Sequence, residues 1–300
     1  MPLGSLETLS RHVLQRRWST RFEPVHCSTN EMPLRQFFDR IYVINLDRRP
    51  DRWKKASERL ARAGLDAKRY SASDARDTSM SEAYQAYLQI PTGKVQPSNI
   101  LSEKDVYRSG DHERRVHSLR EYWKEPPIKT AGAYAYLDTW KRILKEALQD
   151  NLRSILVFDD DVVFHHKIHP LFRQALRNLP DDWAVLQLGT LRRRGLKRTR
   201  WWSDRLFMNE GRSVGSHAVG LSNRVFGELL ELTSRMDAVF DDGALSTLTW
   251  RHRDRSFVTF PELAIQELVD SDIQEASDTF GNERAKIAKR NHWVLPDYDF

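Results

Sequence analysis

Three hundred residues with nine Trp, thirteen Phe and nine Tyr are enough to build one large domain or two small ones, which excludes a globally disordered chain. Lys and Arg outnumber Asp and Glu 48 to 42, a formal net charge of +6. That excess favours an anionic partner such as a nucleotide, a phosphorylated acceptor or a lipid surface, although a basic surface can equally serve solubility.

Cys27 is the single cysteine, so an intrachain disulfide and a thiolate metal cluster are both excluded. The sequence has no apolar run of about 18 residues and no hydrophobic leader block. It therefore reads as a protein without a spanning helix, expected in the cytoplasm, or peripheral to a membrane, or in a secretory lumen if a leader has been removed.

Along the chain, residues 1–36 read as an N-terminal extension in which Leu6, Leu9, Val13 and Leu14 have the spacing of a short amphipathic helix. A main domain is expected over 37–277. Arg40 to Leu46 is strand-like, and Asp47–Arg52 turns the chain with Pro50 suited to a first helical position. A helix runs from Asp51 to Ala63, closed by Gly64, and Lys68–Ala72 reads as the next strand. Strand, helix and strand within about 35 residues make a βαβ unit, which implies an α/β fold with a mainly parallel, Rossmann-like sheet and helices on both faces.

Residues 77–127 break that rhythm. They are polar, carry Pro91, Pro97, Pro126 and Pro127, and read as a long insertion of the functional or mobile kind. Helical spacing returns over Ala131–Gln149 through Ala135, Leu137, Trp140, Leu144 and Leu148. Further on, a helix is expected over Leu171–Leu179 and a strand over Trp183–Gly189. A basic loop then spans 191–205, where Arg192–Arg200 runs into Trp201 and Trp202. It could be a lid, a phosphate surface or a stacking site, or a solvated hairpin with one indole in the core. Helices from Ser222 to Leu232 and Gly243 to Trp250, a strand Ser256–Phe260 and a polar tail over 278–300 complete the reading.

The most informative run is Ser154-Ile155-Leu156-Val157-Phe158-Asp159-Asp160-Asp161-Val162-Val163-Phe164. An apolar, β-branched stretch of this kind suits a strand buried on both faces. Three carboxylates stand at its carboxyl end, where open α/β sheets bind ligands. Their mutual repulsion calls for a cation, and Asp159 and Asp161, two apart, point to the same side. The alternative is that they simply end the strand and cap the next helix.

Several segments together resemble glycosyltransferase family 25, which contains bacterial lipooligosaccharide galactosyltransferases and collagen β-galactosyltransferases. Ile44-Asn45-Leu46-Asp47-Arg48-Arg49-Pro50-Asp51-Arg52 is close to its "INL-x-R-x-x-R" pattern, and Tyr70-Ser71-Ala72-Ser73-Asp74 to "F-x-A-x-D". Phe158-Asp159-Asp160-Asp161-Val162-Val163-Phe164 is similar to "LEDD-x-x-F", with Asp159 in place of Glu. Trp183 to Gly189 is similar to "W-D-x-x-x-L-G", with Ala184 for Asp. Gly215-Ser216-His217-Ala218 is similar to "G-T-H-A", and Phe260–Gln266 with Ser271-Asp272-Ile273 to "P-x-x-x-Q…SDI". The family's Ser-His pair in the helix before the aspartates is replaced here by Ala135 and Tyr136.

The resemblance implies a GT-A type fold and an inverting, metal-dependent transfer of a hexose, galactose above all, from a UDP-sugar donor to a glycan, lipid-linked or protein hydroxyl acceptor. It makes Asp159 and Asp161 the motif carboxylates for Mn²⁺ or Mg²⁺, the ions that hard oxygen ligands and phosphate suit, with His217 completing the metal shell or touching the diphosphate. Asn45, Arg48 and Arg52 would hold the uridine and its phosphates, Asp74 the uracil or ribose, and Asp160 the sugar unless it turns into the sheet. Asp241 and Asp242 are candidates for the base that takes the acceptor's proton, or else cap the helix behind them.

His252 and His292 are weaker candidates for the role of His217. His165, His166 and His169 have the irregular spacing of a surface loop. Two other classes remain: a nucleic-acid binder using Arg192–Arg200, Trp201 and Trp202, which no recognition motif supports, and a non-catalytic glycan-binding protein on the same fold.

Overall fold

The computed structural model describes residues 33–89, 127–191, 200–211, 213, 215–267, 286–289 and 291–300. The proposed helix of Leu6–Leu14, Cys27 and the Arg192–Thr199 run lie outside them. In chain order the elements are α1 (Pro33–Phe37), β1 (Arg40–Asn45), α2 (Pro50–Arg62), β2 (Lys68–Ser71) and α3 (Thr78–Leu88). Next come α4 (Ala131–Gln149), β3 (Ser154–Asp159), β4 (Val162–Phe164), α5 (Ile168–Leu176), β5 (Val185–Gln187), β6 (Leu206–Met208) and β7 (Ala218–Ser222). The chain ends with α6 (Phe226–Ser234), α7 (Ser246–Arg251), β8 (Ser256–Thr259) and β9 (Ala264–Gln266).

Seven strands form one sheet in the order β2-β1-β3-β7-β5-β8-β6, and β4 pairs with β9 in a small antiparallel ribbon. β1 runs parallel to β2 and β3, and β5 parallel to β8, while β7 and β6 pair antiparallel with their neighbours. The fold is therefore mixed α/β with a mostly parallel central sheet.

Alternation along the strands builds a core on each face. Tyr42, Ile44, Ile155 and Val157 point to one side, where Leu137, Trp140, Ile143 and Leu144 of α4 and Phe226 and Leu229 of α6 cover them. Ile41, Val43, Leu156 and Phe158 point to the other, under Ala56 and Leu60 of α2 and Ile168 and Phe172 of α5. A strand covered on both faces has no polar position to offer, which explains the unbroken apolar run of β3.

Several elements differ from the sequence reading. The polar stretch after Asp77 contains α3, because Tyr84 and Tyr87 dock on Tyr134 at ring distances of 5.6 and 5.4 Å. The helix expected over 171–179 begins three residues earlier, at Ile168. The one expected from Gly243 starts as a π-helical turn, Phe240–Leu245, before α7. Neither β6 nor the pairing of β4 with β9 was read from the sequence. Trp201 and Trp202 are 41% and 48% exposed. Trp201 edges onto Phe207 and Phe260, and Trp202 onto Phe257, so neither indole is in the core.

Candidate active site

Parallel pairing of β1 with β3 brings the ends of both strands to one edge of the sheet, with Ile44 opposite Asp159. There an open cleft of about 660 Å³ is lined by Asn45, Arg48, Arg52, Asp74 and all three aspartates, with Tyr136 and Gln266. A second hollow of about 410 Å³ shares Arg52, Asp160 and Asp161 with it. Ile44, Leu46, Ala72, Ala75, Gly132 and Ala135 form the less polar part of the cleft wall.

The three aspartates are treated unequally. Asp160 is buried, its Oδ2 accepting from Asn45 Nδ2 at 2.7 Å and its Oδ1 paired with Arg52 at 3.1 Å. Burial still pushes its carboxyl above the usual range, against the pull of Asn45 and Arg52. Asn45 donates also to Arg49 O at 3.1 Å and accepts from Arg69 at 2.8 Å, so both its amide hydrogens are engaged within the protein. It ties the turn after β1 to the aspartate turn after β3.

Among the described residues Asp159 and Asp161 meet only neutral donors. Asp159 Oδ1 accepts from the Tyr136 hydroxyl at 2.9 Å, and Asp161 Oδ2 from Gln266 Nε2 at 2.7 Å. Asp161 is 7% exposed, and its Oδ1 is buried with no hydrogen-bonding partner among the described residues. Burial first, and then the charge of Asp161, holds Asp159 well above the usual carboxylate range. Burial raises Asp161 to about 6, with Gln266 opposing and Asp160 reinforcing the rise. Two unneutralised carboxylates and an orphaned oxygen fit a hard divalent cation, whose remaining ligands would be water or substrate phosphate.

Of the other expected residues, Arg48 and Asp74 meet on the cleft wall, Arg48 Nε lying 2.7 Å from Asp74 Oδ2. Asp241 stands at the start of the π-helical turn and contributes to the negative field at both Asp159 and Tyr136. Asp242 lies in the same turn, and its side chain is outside the described set.

His217 reaches the aspartates through its backbone carbonyl, which accepts from Asp159 N at 3.2 Å, and not through its imidazole. Its ring is buried, Nε2 is 3.2 Å from Ala264 O, and burial lowers it to about 4, a neutral imidazole. His252 sits 2.6 Å from Glu228, His169 2.6 Å from Ala63 O, and His165 packs on His166 and Tyr298. Among the described residues no three His, Cys, Asp or Glu side chains converge as a metal-ligand group.

The sequence noted Tyr136 only as part of the replacement for the family's Ser-His pair, and gave Gln266 and Arg59 no role. Gln266 stood inside a compared segment. Arg59, paired with Glu267 at 2.7 Å below the second hollow, looked like any helical arginine.

No known family profile matches the chain, and no curated protein does. Among solved structures it is similar to apo mouse xyloside xylosyltransferase 1, at 11% identity over 72% of this chain and 83% of that one, with a TM-score of 0.34. A likeness at that level adds nothing to the argument from the site. Among the described residues no helix is long and apolar enough to cross a membrane.

Proposed function

We propose that the cleft binds a UDP-sugar with one Mn²⁺ or Mg²⁺ ion, and that the chain is a GT-A type, inverting hexosyltransferase of the family 25 kind, acting on a glycan, lipid-linked or protein hydroxyl. The observation that carries this reading is the unequal treatment of the aspartates: Asp160 has Arg52, whereas Asp159 and Asp161 have only neutral hydrogen-bond donors in a cleft that also presents arginine. Protein interiors do not maintain bare carboxylates without a cation or a proton.

When bound, the ion would neutralise the charge that develops on the departing diphosphate. Arg48 and Arg52 would face the phosphates. The aliphatic wall of Ile44, Leu46, Ala72 and Ala75 would seat the base, and Asp74 would face the ribose or uracil. The acceptor oxygen forms the new bond to the sugar's anomeric carbon as the bond from that carbon to phosphate breaks, and the acceptor's proton passes to a carboxylate. Asp241, with its field at Asp159, is the better supported of the two candidates for that role; galactose rests on the family resemblance alone.

The test is UDP release from a panel of UDP-sugars, with and without Mn²⁺. Slow metal-dependent hydrolysis of one donor, lowered by about 10³-fold in Asp161→Asn, is the expected outcome. No turnover in any condition, with no UDP binding by calorimetry, would leave a non-catalytic binding protein instead.

A further inference from the structure

We infer that Tyr136 is a positioning residue for Asp159, holding one carboxylate oxygen so that the other faces the cation; this rests on the metal-dependent reading above. The phenol oxygen lies 2.9 Å from Asp159 Oδ1 and 2.9 Å from Ser216 Oγ. With Asp159 ionised, as a metal ligand is, it has no hydrogen to give and the phenol has one, so Tyr136 donates to Asp159 and Ser216 donates to Tyr136. The direction of the chain is thereby fixed. It needs no proton from solvent and brings no charge to the carboxylate.

Packing removes the ring's freedom. Tyr136 stands edge-on to Trp140 at 6.4 Å and to Phe240 at 5.7 Å, and those two rings stack on each other at 4.2 Å. The hydroxyl therefore sits where α4 and the π-helical turn put it. Asp241 follows Phe240 in the same turn.

Gln266 does the equivalent for Asp161 from β9, by occupying Oδ2 and leaving the orphaned Oδ1. Each motif carboxylate thus has one oxygen bound by a neutral donor of the fold. For Asp159, no hydrogen bond from the described residues reaches Oδ2. Partners that orient a metal ligand through its second atom commonly control affinity for the ion.

Mn²⁺ binding to the substrate-free protein, read by the loss of the free-ion electron paramagnetic resonance signal, separates the possibilities. Tyr136→Phe keeps the ring and removes only the hydroxyl. It is expected to weaken Mn²⁺ binding by about 10–100-fold, and by no more than Asp159→Asn. The double variant Tyr136→Phe/Asp159→Asn should bind no more weakly than Asp159→Asn alone, because Tyr136 acts only through that carboxylate. Ser216→Ala leaves the phenol in place without its own donor and should cost about threefold, which keeps a test in hand should Tyr136→Phe not fold.

Wild-type protein that binds no Mn²⁺ would overturn the metal-dependent reading itself. Wild-type binding with Tyr136→Phe unchanged would overturn the positioning role and leave that reading standing. Additive losses in the double variant would likewise overturn it, as would unchanged binding in Ser216→Ala where that variant stands in.

Discussion

The two halves of the central sheet treat their buried carboxylates differently. In the β7-β5-β8-β6 half the buried carboxylate has both oxygens answered and sits in a bonded network, although Ser256 Oγ and His217 Nδ1 have no hydrogen-bond partner among the described residues. Gln187 donates to Gly215 O at 2.7 Å, Asn209 donates to Gln187, and the oxygens of buried Glu262 accept from Thr190 and from the Trp293 indole. In the β2-β1-β3 half the strand ends leave two carboxylates with neutral donors and one oxygen with none. Satisfied networks specify a fold, while a half-satisfied one persists where something outside the chain completes it. The contrast separates what holds the molecule together from what it is built to bind.

The sharpest way to break the contrast is to make Asp160 like its neighbours. Arg52→Ala removes the cation from a buried pair and leaves Asp160 with Asn45 alone. A loss of about 3–5 kcal/mol in urea unfolding is expected, largely recovered by adding Asp160→Asn. A loss under about 1 kcal/mol would mean that Asp160 is neutralised some other way and belongs with the cation-binding pair.

The next test compares one neutralising amide in each half. Asp161→Asn takes a buried charge out of the site, so the metal-free protein should become more stable at neutral pH by about 1–3 kcal/mol while losing its function. Glu262→Gln puts an amide hydrogen where Thr190 or Trp293 already donates, and should lower stability by about 1–3 kcal/mol. Thermal unfolding of the two variants in a chelator reads the sign directly. If both shift the same way, the halves do not differ in the manner described.

Much of this contrast was legible in the sequence and some of it was not. The βαβ start, the Pro50 and Gly64 limits of α2 and the apolar run of β3 all come from local rules, and the structure places them nearly where those rules do. The aspartates and arginines of the cleft announce themselves because charge at a strand end is unusual. Which aspartate keeps its charge bare did not show, because it depends on Asn45 and Arg52 reaching Asp160 from 115 and 108 residues away. His217 drew attention as a histidine in a glycine-flanked motif. Its burial and its tie to Ala264 come from β9, a three-residue strand with no pattern to read. Tyr136 stood out only as a departure from the family's Ser-His pair, and its distance to Asp159 is what gives it a role.

The smallest expected effect is in the pH dependence of stability, where the halves pull in opposite directions. Burial raises Asp161 from 3.8 to about 6, so between those values the folded chain holds a proton that the unfolded chain has lost. Stability from this group is full below about pH 4 and falls as pH rises through about 6. Asp160, Arg52 and Glu267 face Asp161 and set how far the value moves. His217 does the reverse, because burial lowers it from 6.5 to about 4. The unfolded chain binds its proton first on acidification, so stability from His217 is present above about pH 6.5 and lost towards pH 4. In the wild type the slope from His217 opposes that from Asp161, to which Asp159 and Asp160 add in the same sense because burial raises them too. Melting temperatures from pH 4 to 6.5 in chelator should rise more steeply with pH in Asp161→Asn than in the wild type, and less steeply in His217→Asn. Parallel curves for all three proteins would show that neither group titrates differently in the folded state, and would remove the electrostatic half of the contrast while leaving its hydrogen bonds.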